Sequence, residues 1–320
     1  MDSWIDLIVS RIGSETPLIR TVELRPPQGG ALPGWEPGAH IKVRLPDGDH
    51  RSYSLVNLST APACVSPEFY QLGVRLEDPS KGGSRFMHGL KPGDRVSVSA
   101  PTNNFCLEPF PARVTLVAGG VGITPIASMI AHLVGEGRSF QAFYAGRSES
   151  QLAFHAELTA LAGDRLTFHH DDRSGVFDIK PVMTALGGDE PIYVCGPRPM
   201  IDAAIATAAA LGWPPGRLRF EIFAAAEPQA GDQAFEVVLS SSGRSFTIPP
   251  DKSILDVLID AGVDPMFDCK RGDCEICQTT VLEGVPDHRD YILSDSEHAA
   301  GRLMQICVSR AKTPRLVLDL

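Results

Sequence analysis

The sequence predicts a multidomain chain: an antiparallel β-barrel, then an α/β domain with a parallel sheet, then a small α+β domain that carries cysteines. Three observations carry that prediction. Short alternating runs broken by Gly and Pro fill the first hundred residues, the pattern of a small barrel or sandwich. From Arg113 onward, continuous apolar strands alternate with helical stretches, which implies βαβ units. Four of the seven cysteines fall between Cys269 and Cys307, so the C-terminal part differs in kind from the rest.

The composition sets the outer bounds. At about 150 residues per domain, 320 residues make two or three domains. With 43% hydrophobic and 21% charged residues the chain is globular rather than disordered. A net charge of -10 argues against a nucleic-acid binder. No apolar run reaches the length of about 18 residues that a spanning helix needs, and MDSWIDLIVSRIGSE at the start does not read as a secretory signal. A cytoplasmic protein that binds neither membrane nor nucleic acid is expected. The odd cysteine count does not fit a disulfide scaffold.

In the first domain, Ile41 to Leu45 alternates with period two and ends at the turn Pro46-Asp47-Gly48; Ser52 to Leu58, Tyr70 to Leu76 and Arg95 to Ser99 read as further strands. Arg51-Ser52-Tyr53-Ser54 opens one of them. A tyrosine there suits a flat aromatic ligand and Arg51 an anionic tail, although the same run also fits an ordinary edge strand. Lys81-Gly82-Gly83-Ser84-Arg85 gathers amides, a hydroxyl and cations suited to a phosphate, or forms a plain turn.

In the second domain, Arg113 to Ala118 is a buried-type strand followed by Gly119-Gly120-Val121-Gly122-Ile123-Thr124-Pro125 and a helix. That placement aims amides and a helix N-terminus at an anion, or forms a simple strand-to-helix turn. It is not the G-x-G-x-x-G dinucleotide fingerprint, because Pro125 replaces the third glycine. Strands at Gln141 to Ala145, Leu166 to His169 and Pro191 to Val194 follow. Cys195-Gly196-Pro197 ends the last of these at the carboxyl edge, where parallel sheets bind ligands. Cys195 either approaches a nicotinamide or packs beneath the loop. His169-His170-Asp171-Asp172 cannot all face one ion and reads as a loop with polar contacts.

Ala224 to Asp232 reads as a linker. A hairpin, Phe235 to Leu239 and Ser245 to Ile248, and a short helix from Ser253 closed by Gly262 come next. Then Cys269-x4-Cys274-x2-Cys277, with Cys307 farther on, follows the plant-type [2Fe–2S] ligation pattern. Structural zinc favours paired C-x2-C knuckles, and only one is present. Gly272 is placed to supply a positive φ inside the loop.

Arg51-x-Tyr53-Ser54, Gly120-x-Gly122-x-Thr124-Pro125, Cys195-Gly196-Pro197 and the four cysteines, in that order, resemble the phthalate dioxygenase reductase family, which includes vanillate demethylase reductases. The ends agree too, in Asp287-His288-Arg289-Asp290, Cys307 to Ala311 and Leu316 to Leu320. The resemblance implies an FMN-binding β-barrel at 1–108, an NAD-binding α/β domain at 109–228 and a plant-type ferredoxin domain at 229–320. It places FMN at Arg51, Tyr53, Ser54, Gly83 and Ser84, with Val74 and Arg75 on the neighbouring strand and Thr124 nearby. Phe223 matches the aromatic residue that covers the flavin. Gly120, Cys195, Gly196, Pro197 and Met200 frame the nicotinamide nucleotide, with Arg147 and Asp171 beside them. Thr124, Cys195 and Phe223 are the catalytic candidates, and Cys269, Cys274, Cys277 and Cys307 the metal ligands. Glu275 departs from the small residue usual after Cys274.

NADH gives up two electrons together, whereas a plant-type cluster takes one at about -400 mV. The implied path therefore runs from NADH through FMN and the cluster to a partner, a Rieske non-haem iron oxygenase component, with the reductase as a monomer. A cytochrome P450 or diiron oxygenase as acceptor, or a non-enzymatic redox or metal sensor, are the competing readings. Arg147-Ser148 suits a 2′-phosphate, but Glu149 opposes it and favours NADH. Asp232 to Leu320 holds 15 acidic and 9 basic residues, a net of -6, which would steer a basic partner or simply solvate a small domain.

Overall fold

The computed structural model describes residues 4–60, 65–80, 82–109, 113–223 and 228–320. The chain divides into two compact units, Met1–Glu221 and Ile222–Leu320.

The first unit opens with β1 (Trp4–Ser14), β2 (Ile19–Arg25), β3 (His40–Arg44), β4 (His50–Ser54) and β5 (Tyr70–Arg75), then α1 (Gly83–Gly89) and β6 (Arg95–Ser99). They form an antiparallel sheet in the order β4-β3-β6-β1-β2-β5. A bulge between Val9 and Arg11 bends the long β1. The sheet closes into a barrel where Leu55 bridges Leu72 and the Val56 amide donates to Gln71 O at 2.8 Å. Leu7, Leu24, Ile41, Val43, Leu72 and Val98 fill its interior. The strand expected over Ser52 to Leu58 is therefore shorter: β4 stops at Ser54, and the next residues leave β3 to close the barrel against β5. The turn expected at Lys81 to Arg85 is the entry to α1, because Gly82 takes φ 97° and starts a helix there; Lys81 itself lies outside the described residues.

The α/β part adds β7 (Arg113–Gly119), α2 (Ile123–Gly135), β8 (Ser139–Gly146), α3 (His155–Ala162), β9 (Leu166–His170), α4 (Asp171–Ser174), α5 (Ile179–Thr184), β10 (Ile192–Cys195), α6 (Arg198–Ala210) and β11 (Leu218–Glu221). The sheet is wholly parallel, in the order β11-β10-β7-β8-β9. Strand order reverses at β7, so the carboxyl ends of β7 and β10 flank the crevice where such sheets bind ligands. The two parts of this unit are tied together. Ser128 Oγ donates to Leu55 O at 2.8 Å and accepts from the Asn57 amide at 2.9 Å, while the Phe154 amide donates to Glu15 Oε2 at 3.3 Å.

The second unit contains β12 (Phe235–Leu239), β13 (Ser245–Ile248), α7 (Ile254–Asp260), β14 (Gln278–Glu283), β15 (Pro286–Asp287), α8 (Asp295–Ala300), β16 (Leu303–Gln305), β17 (Arg310–Ala311) and β18 (Arg315–Leu318). Its main sheet runs β13-β12-β18-β14-β16, with β18 in the middle and parallel to β12. Ser253 caps α7 by accepting from the Asp256 amide at 3.0 Å, and Gly262 follows with φ 75°. Ser294 and Glu297 form a capping box at the start of α8. Val237, Ile254, Leu258, Met304 and Leu316 make the core. Of the expected linker, residues 224–227 lie outside the described residues. No described helix is long and apolar enough to cross a membrane.

Candidate functional site

On the barrel, Arg51 and Tyr53 stand two residues apart on β4 and share one face. Gly83 presses onto that face. A Cβ there would lie 2.6 Å from Arg51 Cγ and 3.0 Å from Tyr53 Oη, so only glycine admits so close an approach. The Tyr53 hydroxyl is pushed up by burial. Ser54 Oγ is buried without a hydrogen-bond partner. Ser84 Oγ accepts from the Glu77 amide at 3.1 Å. Val74 is buried on β5 and its carbonyl meets His88 Nε2 at 2.9 Å, while Arg75 reaches Glu77 at 3.0 Å. Tyr53 and the stem of Arg51 thus line one face beside Gly83, with the Arg51 guanidinium held by Asp49 at 2.6 Å, while the orphan Ser54 hydroxyl lies on the other face of the strand; a tyrosine and an arginine at the entry to α1 are groups that fit a flavin ring and phosphate.

At the sheet switch point the loops after β7 and β10 touch backbone to backbone. A Cβ on Gly122 would come within 2.1 Å of Cys195 O, and one on Gly196 within 2.8 Å of Met200 Sδ. Gly120 takes φ 55°, and its carbonyl accepts from Tyr144 Oη at 3.2 Å. Pro197 is exposed and caps α6. The Cys195 side chain is wholly buried in the apolar core. Thr124 donates through Oγ1 to Val121 O at 3.0 Å, and its methyl group crowds Gly73 on β5, so the start of α2 reaches the strand that carries Val74 and Arg75. At the far edge Arg147 is exposed, and Asp171 Oδ1 accepts from the Phe177 amide at 3.2 Å. Glu149 pairs with Arg173 at 3.0 Å, which holds its carboxyl below the usual range.

In the second unit, three positive φ angles bend the cysteine loop: Lys270 at 54°, Gly272 at 82° and Glu275 at 64°. This turns amides toward sulfur. The Arg271 amide donates to Cys269 Sγ at 3.2 Å and the Cys269 amide to Cys274 Sγ at 3.5 Å. Cys307 joins from just beyond β16. Hydrogen bonding from Cys274 and then from Cys307 holds the Cys269 thiol far below its ordinary value, and Cys307 is pushed up, first by Cys269 and then by Cys277. All four thiols are free of disulfides and linked through one another. The convergence fits two irons held by four thiolates. Phe223, 37% exposed, belongs to this unit.

Sequence reasoning missed several residues of these sites. Gln305, wholly buried, accepts from the Cys277 thiol at 3.5 Å. Asp273 sits beside Cys269 and is pushed up to about 7 by burial, against the pull of Arg271. Gly73 admits Thr124. A polar residue two places before the fourth cysteine was the available signal for Gln305; nothing local marked Gly73.

Comparison with known proteins agrees with this geometry. Residues 237–312 match the 2Fe-2S iron-sulfur cluster binding domain model, and residues 116–205 match the oxidoreductase NAD-binding domain model. The phthalate dioxygenase reductase of Burkholderia cepacia is 39% identical, over 97% of this chain and 96% of that protein. The chain belongs to the phthalate dioxygenase reductase family. A solved phthalate dioxygenase reductase structure, described as modular for electron transfer from pyridine nucleotides to [2Fe–2S], superposes with a TM-score of 0.76 at 38% identity, covering 99% of this chain and 98% of that one. Tetrachlorobenzoquinone reductase of Sphingobium chlorophenolicum is 42% identical over 99% of this chain and 98% of its own. As a member of the family the chain is an NADH-dependent oxidoreductase whose redox groups are FMN and a [2Fe–2S] cluster.

Proposed function

We propose that the chain is the reductase component of a Rieske-type oxygenase system, a demethylase or dioxygenase, and passes electrons from NADH through FMN and [2Fe–2S] to that partner. The observation that carries the reading is the meeting of three thiols of one loop with Cys307 from beyond β16, in a chain that also holds a closed barrel and a parallel sheet with a glycine-lined switch point. The chemistry supplied by the bound groups is redox alone: a two-electron hydride donor is turned into single electrons.

The residues position rather than react. Arg51, Gly83 and Ser84 hold the FMN phosphate end, and Tyr53, Ser54, Val74 and Arg75 line its ring. Gly120, Gly196, Pro197 and Met200 frame the nicotinamide nucleotide, Cys195 supports that loop from beneath, and Thr124 sets the approach of nicotinamide to flavin. Arg147 and Asp171 take the adenosine side, with Glu149 disfavouring a 2′-phosphate. Phe223 is the aromatic cover for the flavin. Cys269, Cys274, Cys277 and Cys307 hold the cluster, in the division 1–108, 109–228 and 229–320. The protein works as a cytoplasmic monomer.

The test is spectroscopic and kinetic. Purified protein should show flavin bands, iron and acid-labile sulfide. Cys307→Ser should keep NADH reduction of a two-electron dye and lose transfer to a one-electron iron acceptor. A colourless protein, or undiminished one-electron transfer in the variant, would overturn the reading.

A further inference from the structure

We propose that His288, Asp290 and His298 form a binding site for a divalent transition-metal ion of the zinc class, separate from the four cysteines. One ligand atom from each of the three side chains lies within 4.8 Å of the others. Asp290 Oδ1 is 3.6 Å from His288 Nδ1, and Oδ2 is 3.2 Å from His298 Nε2. Metal bonds of about 2.0–2.1 Å in a tetrahedron separate neighbouring ligand atoms by about 3.3 Å; each histidine lies near that distance from one Asp290 oxygen, and the three ligand atoms, within 4.8 Å of one another, would draw together on an ion. Two imidazoles and a carboxylate are the ligand types such ions prefer, and water would complete the shell.

The second observation concerns His288 itself. Its side chain is only 8% exposed, yet neither ring nitrogen makes a hydrogen bond of standard geometry, the backbone of His298 being its nearest polar contact beside Asp290. A buried polar ring in that state is expensive unless something meets it. Nδ1 faces Asp290 at a distance too long for a hydrogen bond and suited to a shared cation. The ring stacks on His298 at 4.3 Å between centroids, so the two imidazoles already lie beside one carboxylate and would turn out of this stack to aim both nitrogens at one ion.

The outer contacts are also in place. The Asp290 side chain is completely buried and is oriented by the Leu293 amide at 3.0 Å and by Ser309 Oγ at 3.3 Å. The positive charge of Lys312 near His288 opposes a cation, and the negative charge of Glu297 near Asp290 offsets it. The site backs onto the cysteine loop. The Tyr291 amide donates to Gly272 O at 3.1 Å, and a Cβ on Gly272 would lie 3.3 Å from Asp290 Cα. A bound ion would therefore tie α8 to the segment that supports the loop from behind.

Equilibrium dialysis of cluster-loaded protein against low-micromolar Zn2+, with zinc, iron and sulfide assayed afterwards, tests the proposal. The wild type should retain one zinc per chain with its iron unchanged. H298Q keeps an N–H to donate to Asp290 but loses the ligand nitrogen; its zinc affinity should fall by more than about tenfold, the lower end of what loss of an outer-shell partner costs. Its melting point without zinc should match the wild type, and H288Q supplies the comparison where H298Q does not fold. Absence of retained zinc, equal retention by wild type and variant, or zinc gained only as iron is lost would each overturn the proposal.

Discussion

Glu275 is where a single residue bears most on the cluster loop. Its φ of 64° lies in the left-handed region, which costs a residue with a Cβ about 1–2 kcal/mol relative to the right-handed one. Glu275→Gly should leave stability unchanged or raise it slightly, since relief of strain offsets the added freedom of the unfolded chain. Glu275→Val should lower it by about 1–2 kcal/mol. Urea unfolding of the two cluster-loaded variants compares them, and equal midpoints would count against strain at this site. Gly83 makes the same point in the opposite direction. An added methyl would collide with Arg51 and Tyr53. Gly83→Ala should weaken FMN binding by about tenfold or more, the equivalent of about 1–3 kcal/mol of overpacking, measured by fluorescence as flavin is released. Wild-type affinity would mean that the cradle lies elsewhere.

Among elements, a buried ion network joins the segment before β12 to β15. Arg289 donates to Asp232 Oδ2 at 2.9 Å and to Asp287 at 2.9 Å, with the Asp232 side chain only 7% exposed. Arg289 holds the Asp232 carboxyl at about 2, below its ordinary 3.8. A depressed carboxyl stabilises the fold while ionised, so its contribution is complete above about pH 4 and fades as pH falls toward 2. At pH 7 Asp232→Asn should cost about 2 kcal/mol in urea unfolding, and the gap from wild type should narrow below pH 4. A constant gap across that range would rule out the ion pair as its source. Element type was mostly legible in the sequence. The strands of the parallel sheet read as apolar runs because both faces are covered. The cysteine loop read from its spacing because three of its ligands are local. Helix α1 did not, since two glycines at its start carry no helix signal and the barrel holds it in place. The end of β4 was misjudged because Leu55 and Val56 keep strand-like residues while changing partner. Gln305 and the His288–Asp290–His298 group were invisible for another reason: their members come together only once α8 and β16 have packed.

At the scale of the molecule, charge is unevenly shared. The segment Asp232 to Leu320 carries -6 of the chain's -10. Such a field raises encounter rates with a basic partner and is screened by salt. Electron transfer to the partner oxygenase should slow by about tenfold or more between low and physiological ionic strength, with NADH reduction of the flavin unaffected. A flat salt titration would leave the charges a role in solvation alone. The order of strands in a sheet depends on pairing across long stretches of chain, so the central place of β18 could not be read from composition or spacing.

That central place constrains when the protein can be finished. β18 lies between β12 and β14, and it follows all four cysteines in the sequence. During synthesis the thiols emerge from the ribosome before the strand that knits their two flanks into one sheet. Iron and sulfide delivered early would meet an open, floppy set of ligands, so maturation of the centre belongs after β18 has paired with β12 and β14.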